Sequence, residues 1–301
     1  MVRTKQSVVV GVDGSESSAQ AARWATAEAA RLAAPVHLLL VNDDPAREAF
    51  AKQTVHDLAE RCRLDHPELD ITADVDDGHP AAELIHRSDA ALLLVVGSRG
   101  HGAFRDALLG SISTSVAAHA RCPVVVVRGH ETESGPVVVG VDNSTGSRTA
   151  LHYAFEAANR RHTELVAVQA LPDTYFTGSA YPQPDRRDLH DRADLHLSEQ
   201  LSGWCADYPD VPIRREVAAQ HPVTALCDAA RHAQLLVVGH RGHGGFAGLL
   251  LGSVANGVLH HAPCPVAIVR AAPPDRRTRP GRRSPALRRD QASGELRQTA
   301  R

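Results

Sequence analysis

Nine residues separate Gly100 from Gly110 in the segment Gly97-Ser98-Arg99-Gly100-His101-Gly102 … Gly110-Ser111-Ile112-Ser113. The same spacing returns in Gly239-His240-Arg241-Gly242-His243-Gly244 … Gly252-Ser253-Val254. Glycine lacks a Cβ and turns freely to positive φ, so such a loop brings main-chain N–H groups close to a bulky anion. Where a helix starts at the second glycine cluster, its first N–H groups and its dipole favour phosphate oxygens. Ser111 and Ser253 stand at that start, where a hydroxyl caps the helix or donates to phosphate. Arg99 and Arg241 supply charge that could neutralise phosphate, or are surface residues without a role. His101 and His243 are open to the same two readings, as a phosphate contact or as solvent-facing loop residues. The lysine of a G-x-x-x-x-G-K-[ST] loop is absent, and no G-x-G-x-x-G follows the first apolar run.

A second constellation completes a site. Gly11-Val12-Asp13-Gly14-Ser15 and Gly140-Val141-Asp142-Asn143-Ser144 each place a carboxylate just after an apolar run. In an open α/β sheet, ligands bind outside the strand C-termini where the strand order reverses. With the order 3-2-1-4-5, strands 1 and 4 flank that crevice, so Asp13 and Gly97 converge. A bare carboxylate repels a triphosphate, so Asp13 and Asp142 are suited to ribose hydroxyls or to a divalent cation such as Mg2+. The alternative is a turn or helix-capping role. Val41, at the end of the neighbouring strand, could offer its main chain to an adenine edge.

The elements that must position these residues come in two copies. The offset is 129 residues at Gly11 and Gly140 but 142 residues at Gly97 and Gly239, so the second copy carries 13 more residues. They are expected within Leu171–Asp188, a Pro/Tyr/Asp/Gly-rich stretch that reads as a longer loop. Apolar runs at Val8–Val12, Val36–Val41, Ile71–Val75, Ala91–Val96 and Val124–Val127 read as strands. So do Val137–Val141, Leu165–Val168, Ile213–Val217, Leu235–Val238 and Val266–Val269. They are continuous rather than alternating, which marks strands buried on both faces. Helical stretches lie between them at Ser17–Ala33, Arg47–Leu64, Ala81–Ser88 and Ser111–His119. Alternation of this kind implies a parallel sheet with right-handed crossovers. The expected organisation is a first domain over 1–130, a second over 131–270 and a tail over 271–301. That tail carries nine Arg, three acidic residues and four Pro, and reads as disordered.

Composition narrows the function. The net charge of −2 and the absence of aromatic interleaving in the basic tail argue against a nucleic-acid partner. No run of about 18 apolar residues and no leading h-region is present, so neither a membrane span nor a signal peptide is expected. Five Cys in an odd count, with no C-x-x-C pair, fit reduced thiols in a cytoplasmic protein. Cys122 and Cys264, each before a Pro, read as buried structural thiols. Trp24 and Trp204 read as packing residues, and the His260-His261 pair as helix-end chemistry.

Taken together, the glycine spacing, the V-x-V-G-V-D start of each copy and the C-P-V before each last strand resemble the universal stress protein family, in its tandem ATP-binding form. The resemblance covers about residues 5–128 and 135–270. It implies two Rossmann-like, adenine nucleotide alpha hydrolase-like α/β domains, each a five-stranded parallel sheet sandwiched by helices. It implies one ATP per domain. The first would be lined by Gly11, Val12, Asp13, Val41, Gly97, Ser98, Arg99, Gly100, His101, Gly102, Gly110, Ser111, Ile112 and Ser113. The second would be lined by Gly140, Val141, Asp142, Val168, Gly239, His240, Arg241, Gly242, His243, Gly244, Gly252, Ser253 and Val254. It further implies an intrachain pseudo-dimer through last strands and facing sheets, and pairing of two chains. Two departures stand out in the second copy. Asn143 replaces Gly14 but still tolerates a left-handed backbone, and His240 replaces Ser98, a pH-sensitive donor beside phosphate. No catalytic residue emerges, because no loop Lys and no distinct base accompany the glycines. The expected role is nucleotide-dependent regulation of a stress response, read by a protein partner. The alternative is weak ATP hydrolysis or phosphoryl transfer at the same sites.

Overall fold

Long apolar runs without alternation can be satisfied only inside a sheet covered on both faces, and the chain builds one such sheet from both copies. The computed structural model describes residues 6–100, 109–130, 132, 134–171, 186–242 and 250–270. The expected disordered tail, 271–301, lies outside them. The first half runs β1 (Val8–Val12), α1 (Glu16–Leu32), β2 (Val36–Asn42), α2 (Glu48–Asp65), β3 (Ile71–Asp77), α3 (Pro80–Arg87), β4 (Leu93–Gly97), α4 (Ser111–His119) and β5 (Val124–Val127). The second runs β6 (Val137–Gly140), α5 (Thr145–Arg161), β7 (Leu165–Ala170), α6 (Arg186–Asp207), β8 (Ile213–Ala218), α7 (Pro222–Ala229), β9 (Leu235–Gly239), α8 (Ser253–His261) and β10 (Val266–Val269).

The strand order is β3-β2-β1-β4-β5-β10-β9-β6-β7-β8, so each half has the expected 3-2-1-4-5 order. Pairing is parallel within each half and antiparallel only between β5 and β10, where Val125 pairs with Ala267. The halves therefore meet edge to edge in one ten-stranded sheet, not through facing sheets. Alternate strand residues feed two cores. Val8, Val10, Leu38, Val95 and Val125 pack under α1, α2, α5 and α6. Val9, Leu39, Val96, Val124 and Val126 pack under the other four helices. The register places the insertion. Val36 pairs with Ile71 and Leu165 with Ile213, so the offset changes from 129 to 142 between β7 and β8.

Local chemistry fixes the helices nearest the crevices. Ala21, Ala22, Ala25 and Ala29 let α1 lie close on the sheet, and all four are buried. Ser15 caps α1 by accepting from the N–H of Ser18, and Ser144 caps α5 in the same way from Ser147. Across the pseudo-dyad, α1 and α5 share a buried ion pair. The Arg161 guanidinium reaches Glu28 Oε2 at 2.6 Å, with both side chains almost fully enclosed. Arg31 stands farther off, at 3.6 Å from the same carboxylate. The positions related to Glu28 and Arg161 by the 129-residue offset are Ala157 and Leu32, so only one of the two symmetric contacts is ionic.

Removing Arg161 leaves the buried Glu28 carboxylate with only the more distant Arg31, and losing the main partner of a buried charge is costly. Arg161→Leu should lower unfolding stability by roughly 3 kcal/mol, read by denaturant titration. Glu28→Ala combined with Arg161→Leu reproduces the apolar contact on the other side of the dyad and should recover most of that loss. A double variant no more stable than Arg161→Leu alone would show that the charge is not what the contact depends on.

Candidate functional site

The C-terminal ends of β1 and β4 open onto a crevice of about 1100 Å³ in the first half. One wall is apolar, from Leu39, Leu40 and Val41 of β2 with Leu84, Phe50 and Pro80. The opposite wall is made of peptide: Gly97, Arg99 and Gly100 after β4, then Gly110 to Ser113 entering α4. Asp13 closes the floor between them. This is the place where the strand order reverses, and the two sequence constellations do meet there.

The glycines serve different purposes. A Cβ on Gly97 would stand 2.5 Å from Ser17 Oγ and 2.7 Å from the Ser17 carbonyl, so this glycine lets β4 pack against the first turn of α1. A Cβ on Gly100 would lie 2.4 Å from Asp13 Oδ2, which brings the loop directly over the carboxylate. Gly110 differs, because the nearest atom to its added Cβ is 3.5 Å away. Among the described residues there is room for a side chain there, on the crevice wall. None of these three glycines has a positive φ, so close approach rather than turn geometry explains them.

The cradle helix is held by main chain. The Gly110 N–H donates to the Ser98 carbonyl at 2.8 Å, and Ser113 Oγ donates to the Gly97 carbonyl at 2.7 Å. Ser17 Oγ accepts from the Arg99 N–H at 3.3 Å, a buttress that the glycine pattern did not reveal. The N-cap of α4 is Gly110, not Ser111, and among the described residues no side chain caps it. The same holds for Gly252 and α8. Ser111 and Ser253 are the first helical residues, which corrects the capping role expected for their hydroxyls. The opening turns of α4 and α8 also hold no acidic residue. Asp13 Oδ1 accepts from the Ser15 N–H at 3.0 Å, and Oδ2 faces Gly100.

The second half keeps the peptide geometry and changes side chains. A Cβ on Gly242 would meet Asp142 Oδ2 at 2.3 Å, so carboxylate and loop converge as in the first half. Gly252 N–H donates to the His240 carbonyl at 2.9 Å, the counterpart of the Gly110–Ser98 bond. Gly14 has φ +87°, whereas Asn143 is not left-handed, so the two turns differ. Asn143 Oδ1 instead accepts from Gln200 of α6 at 2.9 Å. Val168 pairs with Gly140 as Leu39 pairs with Gly11, so the register makes Ala170 the counterpart of Val41.

Several expected residues sit elsewhere. Ser98 is buried behind the loop, and its part is played by its carbonyl. The His240 ring is not beside the phosphate cradle. It is buried against the first half, with Nε2 2.6 Å from the Arg270 guanidinium and 3.2 Å from the Ala118 carbonyl. A guanidinium can only donate and a carbonyl can only accept, so Nε2 accepts from Arg270 in one ring tautomer and donates to Ala118 in the other. Burial first, then the charge of Arg270, pull the His240 pKa down to about 4. His101, Gly102, His243 and Gly244 lie outside the described residues. The crevice also uses Asn42 at the end of β2, Asp43 and Arg47 after it and Phe50 in the first turn of α2, which no motif marked. Their position at and just after the C-terminal end of the strand next to β1 was the available signal. Cys122 and Cys264 are buried, and desolvation pushes both thiols up to about 12.

Comparison with known proteins agrees with the fold. The sequence profile of the universal stress protein family matches residues 5–128 and 134–270. A universal stress protein of Mycobacterium tuberculosis is 36% identical over 291 residues, covering 89% of this chain and 98% of that protein. One from Mycolicibacterium smegmatis is 36% identical over 293 residues, covering 89% and 98%. The crystal structure of a universal stress protein from Archaeoglobus fulgidus superposes with a TM-score of 0.66 at 20% identity, covering 88% of this chain and 96% of that one.

The depressed pKa of His240 makes a prediction about pH. The folded state holds this imidazole neutral, and the unfolded chain takes up its proton near the ordinary value of 6.5. Its contribution is therefore present above about pH 6.5 and is lost as pH falls towards 4. His240→Gln, which keeps an acceptor, should flatten the fall in stability between pH 7 and pH 4.5 by roughly 2 kcal/mol. Urea midpoints at the two pH values measure it, and parallel profiles for the two proteins would refute the assignment.

Proposed function

The chain belongs to the universal stress protein family, and from that premise we propose that each half binds an adenine nucleotide, ATP, as a regulatory ligand rather than as the substrate of fast catalysis. The observation that carries the reading is the uncapped N-terminus of α4 opening onto the crevice. α1 and α5 are capped by serine hydroxyls, while α4 and α8 begin at glycines with no side-chain cap among the described residues. The first N–H groups of such a helix have no partner within the helix and favour an anion. Arg99 on the same wall adds a positive charge. Opposite, the Leu39–Val41 wall with Phe50 offers an apolar slot for a flat base, and Asp13 between them faces where ribose hydroxyls would lie.

Asp13 and Asp43 both line the crevice, and they are the carboxylate donors that fit a Mg2+ ion carried in with the phosphates. Such an ion would neutralise phosphate charge. The described walls supply binding groups: peptide N–H, guanidinium, apolar surface and a carboxylate already engaged by its own turn. They favour a protein that holds nucleotide and presents an altered surface to a partner. Among the described residues no helix is long and apolar enough to cross a membrane.

Gly110→Ala tests this reading with little effect on folding, because the described residues leave room for the methyl group. Thermal stability should be unchanged or slightly lowered, since Ala is a somewhat poorer N-cap than Gly. Calorimetric titration with ATP should show first-half affinity reduced about tenfold or more, since the helix N–H groups can no longer reach the phosphate. The parent chain should take up two ATP. A flat parent titration, or a variant with both sites at parental affinity, would refute the assignment. Rapid single-turnover hydrolysis of labelled ATP would move the proposal to the enzymatic alternative.

A further inference from the structure

The residue that leaves each last strand crosses the seam between the halves. Arg128 follows β5 and donates to the carbonyl of Leu259 and, at 2.9 Å, to that of His260, both in the last turn of α8. Arg270 follows β10 and donates to the carbonyl of Ala118 in the last turn of α4, and to His240 Nε2. Arg128 and Arg270 are related by the 142-residue offset, and so are Ala118 and His260. The exchange is therefore reciprocal.

The last carbonyls of a helix have no partner within it and carry the negative end of its dipole. A planar, permanently charged guanidinium closes such an end well, through more than one N–H. α1 and α5 need no outside help. They end in the left-handed residues Ala33 and His162, whose N–H groups bond back into their own helices. The two helices closed from across the seam are those whose opposite ends form the crevice walls. Each is nine residues long, about 13 Å at 1.5 Å per residue. A shift at the closed end is thus a shift at the cradle.

We propose that Arg270 is a positioning residue for the phosphate-binding end of α4, and Arg128 for that of α8, so that each nucleotide site is completed by the other half. This rests on the crevices being nucleotide sites. The two are separable because closure of the helix end can be read without nucleotide.

The test uses the full chain. Asp142→Ala silences the second site, so that titration with ATP reads the first. In that background Arg270→Met should weaken ATP binding about three- to tenfold, and Arg270→Lys, which keeps the charge, should restore it to within about twofold. In an Asp13→Ala background, which reads the second site, Arg270→Met should have the smaller effect. Arg128→Met should show the reverse pattern. Hydrogen exchange without nucleotide should rise in residues 111–119 for Arg270→Met and in residues 253–261 for Arg128→Met. Affinity lost only in the substituted half, exchange raised only there, or no rescue by lysine would overturn the proposal. If the chain with Arg270 intact takes up no ATP, the nucleotide reading fails, and the crossed exchange pattern alone decides whether the seam arginines close these helices.

Discussion

Val124–Val127 and Val266–Val269 meet antiparallel, and that short seam governs the rest of the molecule. Without it each half would end in an apolar strand with a free ladder edge, a liability in water. With it, all ten strands form one sheet, and both cores run unbroken from half to half. Because the pairing is antiparallel, the helix following the glycine loop in one half comes to rest beside the chain leaving the last strand of the other. Arg128 and Arg270 then have somewhere to go, and so does the ring of His240. Buried contacts such as Glu28 with Arg161 exist only because the seam has already brought α1 and α5 together.

The peptide wall of the crevice follows from a different constraint, the distance between β4 and the start of α1. Gly97 permits that approach, the Ser17 carbonyl and hydroxyl fill the space a Cβ would have taken, and the Ser17 hydroxyl in turn holds the Arg99 N–H. The Ser98 carbonyl then fixes Gly110, and with it the first turn of α4. Each link is a main-chain or short polar contact with little freedom. The N–H groups facing the crevice are therefore oriented before any anion arrives, which limits the ordering cost of binding.

Much of this was legible in the sequence, for reasons that also mark where reading stopped. Continuous Val and Leu runs bounded by turn signals read as buried strands, and their alternation with Ala-rich stretches marked a parallel sheet in each half, whereas the order 3-2-1-4-5 is not set by alternation. The glycine spacing repeated in both copies, which identified the cradle. Ser17, Arg47 and Phe50 escaped because they belong to no repeated pattern: Ser17 holds the Arg99 N–H from α1, and Arg47 and Phe50 reach the crevice through the placing of α2. Val168 was matched to Val41 by residue type, whereas register depends on strand pairing and selects Ala170. His240 was placed beside phosphate because chain proximity puts it in the loop. Its ring turns instead to a surface contributed by residues far away in sequence, which spacing along one copy cannot show.

The two halves are alike in the peptide geometry around Asp13 and Asp142 and unlike in side chain, and one substitution shows how such divergence can proceed. Gly146 stands where the first half has Ser17. A Cβ on Gly146 would lie 2.4 Å from the Arg241 carbonyl, so the loop after β9 occupies the space that the serine hydroxyl fills in the first half. The Arg99 N–H is held by a side chain, while the corresponding loop in the second half is held by close contact of backbone with backbone. Nearby, Gln200 ties Asn143 to α6, which draws the turn after β6 towards that helix. Each change exchanges one way of fixing a peptide for another and leaves the Gly242–Asp142 approach intact. Constraint on main-chain geometry with latitude in the groups that enforce it is what a site built from N–H donors permits, because such a site reads the positions of peptides and not the identity of the residues behind them.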